Sequence, residues 1–314
     1  MEAWQRLGRF ISGHMMAIMP ICVAAGVVFP QLFVPVRPYV MPLFAAMAFQ
    51  GSLTNTLSRV RDTFRRPALL VFVLLFAHVL VPVATFAVAG LLFGDNPDLM
   101  AGVALEYSVP IGSTAVVWAG MCSGDVSLAL SAVLISALVC PFSIPAPKPL
   151  LMGAVVEVDA VGMMVDMILM VAVPAVAATL LNDRTHGWAG RELSAVLAPA
   201  ARILLVLIVT TNATGISDLM FHLTPQLVGV MAFTGAMCVL GYAAGIGVAR
   251  LTSQPYERRV SLTFTCGMRN ISAGAVIAAE FLPAAALFPV MIGTLFQQFL
   301  AATFAHVLQA RREG

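Results

Sequence analysis

Arg269 stands in Cys266-Gly267-Met268-Arg269-Asn270, midway along a stretch that otherwise reads as a membrane span. A guanidinium at bilayer depth costs ~2.5–3.5 kcal/mol on insertion scales, and ionisable residues placed there face a binding site or a buried partner. A second polar break, Pro110-Ile111-Gly112-Ser113-Thr114, interrupts an apolar stretch in the first half of the chain. An interrupted helix presents unpaired backbone N–H groups and partial positive charge, which suit a carboxylate or sulfonate. Gly112 and Gly267 fit a close approach of backbone to ligand. Ser113 and Thr114 fit the polar start of a half-helix, and equally an N-cap without substrate contact. Asp166 lies seven residues after Asp159 and shares its helical face, so it is a partner for Arg269 or a proton carrier. His78, with a titration range suited to proton chemistry, is another coupling candidate. Glu157 and Asp159 are expected at the outer interface. Glu106 and Glu280 lie toward span ends and are expected to snorkel or cap. Gln297 and Gln298 either line a cleft or bond to neighbouring helices.

The elements that position these residues follow from composition. The 314 residues are 60% hydrophobic and only 10% charged, which excludes a soluble globular domain. Each helical crossing needs ~20 mostly apolar residues. Apolar runs predict ten spans near 10–29, 38–57, 67–93, 98–120, 125–145, 158–181, 199–216, 224–250, 258–281 and 284–308. The first is read as a retained helix and not a signal peptide, because it runs long and contains Pro20. With a cytoplasmic N-terminus, fourteen arginines fall on inside segments and only Arg37 and Lys148 outside. That asymmetry supports the count and places both termini in the cytoplasm of a multi-pass inner (plasma) membrane protein. The net charge of +2, without a basic block, gives no reason to expect nucleic acid. The five cysteines all lie in apolar stretches without a C-x-x-C pair, so they read as buried thiols.

An even count divides at the connection after Pro141 into 1–146 and 147–314, two five-helix halves that enter from opposite sides. This is the inverted-repeat plan of many secondary transporters. The two breaks occupy the corresponding fourth and ninth spans, which points to a site at the midplane.

Pro110-Ile111-Gly112-Ser113-Thr114, Gly124-Asp125-Val126-Ser127-Leu128-Ala129-Leu130 and Pro141 resemble the fourth and fifth helices of bile acid:sodium symporters. Gly267-Met268-Arg269-Asn270 is similar to the ninth-helix G-M-Q-N motif of that family. Pro67, Pro82 and Val158-Asp159-Ala160-Val161-Gly162-Met163 also fit. The family belongs to the wider bile/arsenite/riboflavin transporter superfamily. The resemblance implies an all-α membrane protein with broken, crossing helices 4 and 9. It further implies a core of spans 3–5 and 8–10, a panel of spans 1, 2, 6 and 7, and alternating access to substrate between them. Implied substrate-binding residues are Gly112, Ser113, Thr114, Gly267, Met268, Arg269 and Asn270, with Asn270 beside the substrate. Coupling candidates are Arg269, Thr265, Asp166 and His78.

The departures concern sodium. The family's sodium ligands fall here on Ala77, Ala115, Val116, Ala129 and Val133, its ninth-helix acid on Thr265, and its glutamine on Arg269. Methyl groups cannot replace a hydration shell, and the guanidinium takes the place and charge of a sodium ion. The expected cargo is a small organic acid anion, moved without sodium by proton coupling, exchange or export. No catalytic residue, metal site or cofactor is assigned, and oligomeric state is left open. Arsenite efflux is the closest rival, yet the thiol it needs falls on Ile111. An intramembrane enzyme would need a metal motif or facing aspartates, whereas the five histidines are scattered and Asp159 and Asp166 share a helix.

Overall fold

The computed structural model describes residues 2–56, 58, 67–144 and 160–310, which form an assembly of helices. Asp159, the 146/147 boundary, Lys148 and the arginines at 59, 61, 65, 66, 311 and 312 lie outside the described residues.

Among the described residues, seven helices are long and apolar enough to cross a bilayer. They are α3 (Pro30–Ser52), α4 (Pro67–Phe93), α7 (Val126–Ser143), α8 (Val161–Arg184), α9 (Ala189–Phe221), α10 (Pro225–Leu251) and α13 (Ala284–Ala310). Seven of the ten expected spans fall on them, that at 67–93 with matching ends. The other three stretches are divided. The first gives α1 (Glu2–Gly13) and α2 (Met15–Val28). The expected stretch 10–29 therefore covers the end of α1 and the whole of α2, two helices that meet at a bend of 87°. The first of them has a polar face, and its Trp4 and Gln5 donate to the Val196 and Ala195 carbonyls of α9. The fourth stretch gives α5 (Pro97–Ser108) and α6 (Thr114–Met121), and the ninth gives α11 (Tyr256–Gly267) and α12 (Ile271–Phe281).

Local chemistry sets the starts of these helices. Asn96 accepts the Leu99 N–H at 3.1 Å ahead of Pro97, Asp125 accepts that of Leu128 at 3.0 Å, and Thr224 accepts that of Leu227 at 3.2 Å ahead of Pro225. Such caps satisfy backbone donors that a helix leaves orphaned, and proline suits the first turn because its N–H would be unused. Inside spans, proline has the opposite effect. Widened π-turns at Phe76–Leu80 and Ile168–Ala172 precede Pro82 and Pro174, where a regular turn would meet the proline ring.

Two packing groups result. α9 packs on α1, α2 and α3, and α3 packs on α8. α10 packs on α11 and α13, α4 on α5, and α6 and α7 on α11. Small residues allow the tightest of these contacts. Gly241 and Gly245, one turn apart on α10, lie against the backbone of α11, where a Cβ at Gly245 would fall 2.4 Å from the Leu262 carbonyl oxygen. α12 touches both groups through α5, α13, α3 and α9. Leu91, Leu240 and Phe299 are among many large apolar side chains left on the outer surface, as lipid-facing helices require.

Candidate functional site at the helix crossing

The interruption after α5 begins at Val109, whose backbone is extended, and Pro110, which has no N–H to continue the helix. Met268 is extended in the same way after α11. The two breaks meet as a short antiparallel pair with Ile111 opposite Arg269. The Gly112 N–H donates to the Met268 carbonyl at 3.2 Å, and the Asn270 N–H donates to the Pro110 carbonyl at 2.7 Å. The pattern is identical read from either side, so a local two-fold axis passes between Ile111 and Arg269. Backbone groups freed by both breaks are satisfied by each other, as burial demands.

Neighbouring spans hold the crossing. The Arg269 N–H donates to Gln297 Oε1 at 2.7 Å and the Ile111 N–H donates to Ser136 Oγ at 2.8 Å. Ser136 also bonds His78 Nε2 at 2.8 Å, while His78 Nδ1 bonds Ser143 Oγ at 2.9 Å. His78 thus ties α4 to α7 and does not line the cavity around Arg269. The glycines also have a packing role beside the expected ligand approach, and Gly267 lines the cavity around Arg269. A Cβ at Gly112 would lie 2.8 Å from the Arg269 carbonyl oxygen, and one at Gly267 would lie 2.4 Å from the Tyr242 ring.

Arg269 is 3% exposed. Its side chain lines a cavity of about 280 Å³ bounded by α4, α5, α10, α11 and α13. Glu106 and Tyr107 of α5, Cys238 of α10 and Gln297 of α13 share that wall. Tyr107 donates its hydroxyl to the Thr234 carbonyl at 2.7 Å, and Tyr242 donates to the Gln297 carbonyl at 3.0 Å. The remaining wall is apolar and reaches the outside between α4 and α10, where Leu80 and Leu240 are exposed.

Glu106 corrects the sequence reading. It is 1% exposed, so it neither snorkels nor caps. Its carboxylate rests against Gly293 of α13, where an added Cβ would fall on Oε1. Glu106 Oε2 and Arg269 Nη1 are both buried without a hydrogen-bond partner, and no ion pair joins them. The available signal was depth, because Glu106 lies one helical turn before Pro110 and hence near the level of Arg269.

The remaining predicted residues separate. Ser113 is exposed, while Thr114 and Asn270 are half-buried. Asn270 Oδ1 accepts the Ala273 N–H at 3.2 Å and caps α12, whereas Ser113 makes no cap bond. Met268 is fully buried in an apolar cluster with Ile111 and Ala115. Thr265 donates its hydroxyl to the Ser261 carbonyl of its own helix at 2.8 Å. Asp166 is half-buried on α8 and forms no ion pair with Arg269, so that expected pairing is absent.

Comparison with known proteins decides the family. Residues 41–223 match the Sodium Bile acid symporter family. The chain belongs to that family. It is also 32% identical over 291 residues to a Bacillus subtilis (strain 168) protein named uncharacterized protein YbaS, covering 93% of this chain and 95% of that one. Membership of the sodium bile acid symporter family and the apolar helices make this a multi-pass membrane protein of a transporter type.

Proposed function

We propose that this family member is an alternating-access carrier of a small organic acid anion that works without sodium. Ten spans form two inverted five-helix repeats, each divided span counting as one crossing. α5 with α6 and α11 with α12 supply 12, 8, 12 and 11 residues, and neither half of a pair reaches the ~20 residues of a crossing alone. The meeting of the two breaks at Ile111 and Arg269, each between two half-length helices, supports the inverted relation. The core and panel correspond to the two packing groups, and α12 lies where they meet.

The observation that carries the reading is Arg269, a fixed cation buried where two divided helices cross. The anion binds at the exposed side of that crossing, against Ser113, Thr114 and the start of α12 at Asn270. Arg269, enclosed on the core side, balances its charge. The positions that correspond to sodium ligands support independence from that ion. Ala77, Ala115 and Ala129 are fully buried, and Val133 packs against the cluster that holds Ala77 and Ala115, so these side chains offer methyl groups where a hard cation needs oxygen. Thr265 spends its hydroxyl within its own helix.

A thermal-shift screen of organic acids against the purified protein, with and without sodium, tests the reading. Stabilisation by one or more acids is expected, unchanged when choline replaces sodium. Stabilisation that appears only with sodium refutes the sodium-independent carrier. Arg269→Gln, which removes the balancing charge, is expected to weaken binding of the identified acid by roughly 10-fold, the equivalent of ~1.4 kcal/mol.

A further inference from the structure

Glu106 and Arg269 line one cavity, lack partners at Oε2 and Nη1, and stand in the membrane-spanning part of the chain. Other titratable and polar groups face the same cavity. From α5 comes Tyr107, committed to the Thr234 carbonyl; from α10 comes Cys238; from α11 comes Cys266; α13 contributes uncharged Gln297. α4 contributes only apolar side chains to this wall, since His78 is bonded to Ser136 and Ser143. The cavity therefore holds one fixed cation and one carboxyl group, beside a phenol and two thiols that are neutral in their ordinary forms.

Charge balance gives this pair a use. With Glu106 ionised, its charge cancels that of Arg269, and an anion arriving at the crossing adds an uncompensated negative charge in a medium that penalises it. With Glu106 protonated, the guanidinium is unmasked and the incoming anion restores neutrality. The space of about 280 Å³ has room for water to carry the proton.

We infer that Glu106 is the coupling site of this carrier, binding one proton with each substrate anion and releasing it when the anion leaves. The inference rests on the anion-carrier reading above and names its driving ion. The step is a proton transfer alone: a carboxylate oxygen of Glu106 gains a proton from water as the anion binds and returns it to water on the opposite side. No electron moves and no other bond changes.

The test has two arms. Infrared difference spectra of the protein in liposomes, from about pH 6 to about pH 9, should show a carboxylic acid band that grows as pH falls, persists in Glu106→Asp and is missing in Glu106→Gln. Binding of acetate, benzoate and octanoate by titration calorimetry supplies the second arm. The Kd of an acid that binds should rise about tenfold per pH unit in the wild-type protein and in Glu106→Asp, as uptake of one proton requires. In Glu106→Gln, whose amide stands in for the protonated acid, that acid should still bind with a Kd independent of pH. Circular dichroism confirms that each variant is folded. An unchanged infrared band in Glu106→Gln, or an unchanged slope of Kd with pH, overturns the role of Glu106. If none of these acids binds at any pH, both this inference and the anion reading fall, an outcome distinct from binding that ignores pH.

Discussion

Arg269 is surrounded by groups that serve its backbone more than its side chain. Gln297 accepts its N–H, and the Asn270 N–H beside it reaches Pro110, yet Nη1 has no partner. The same economy governs its neighbours. Gly293 exists in its present form because the Glu106 carboxylate fills the volume of a side chain. Gly293→Ala should lower stability by ~1–3 kcal/mol, the range for overpacking, with much of that loss recovered in the Gly293→Ala, Glu106→Ala double variant; thermal unfolding in detergent measures both. Ser136 accepts the buried Ile111 N–H and meets His78. Ser136→Ala removes that acceptor and should cost ~1–3 kcal/mol for an unsatisfied buried donor, whereas the exposed Ser113→Ala should leave the melting temperature unchanged.

At the scale of helices, much was legible in the sequence because lipid imposes a simple code. Most unbroken apolar runs became unbroken helices, the first being bent near His14, and the two glycine-containing polar interruptions became breaks that meet. Arg269 was legible for the same reason, as a charge where none is tolerated without cause. Glu106 escaped because its neighbours look like the end of a span, and only the folded chain shows the break at Pro110 placing it in the interior. His78 and Asp166 were named from the sequence, but their surroundings were not legible there. Periodicity assigns a face to each, but partners such as Ser136 come from distant segments that no local pattern specifies. The glycines were found for an incomplete reason, since the crossing backbone and the Tyr242 ring occupy the space beside them. Gly245→Leu, by separating α10 from α11, is expected to reduce stability and to disturb anion binding through the shifted Arg269. Ligand-free melting and acid titration together would reveal both effects, while Gly247→Leu, which meets open space, serves as the control.

At the scale of the whole molecule, the proposed anion carrier faces an energetic constraint that Arg269, the single buried cation among the described residues, does not remove. Arg269 stays with the protein, so it neutralises cargo without travelling beside it. Moving one net negative charge inward against 100 mV is opposed by ~2.3 kcal/mol, about a 50-fold gradient at 1.36 kcal/mol per decade. Proteoliposomes with an inside-negative potential and no pH gradient should therefore fail to accumulate a lone monoanion. An inward pH gradient should restore accumulation, and a sodium gradient should not. Tracer uptake measures all three conditions.

The stitched pair of breaks has a mechanical consequence for such a cycle. Because Gly112 and Asn270 each donate to the opposite segment, neither divided helix can turn while its mate stays still without tearing both links. In the proposed cycle the crossing would serve as an axle: the four half-helices would swing as one piece, and gates on the two faces of the bilayer would be geared to move in opposition.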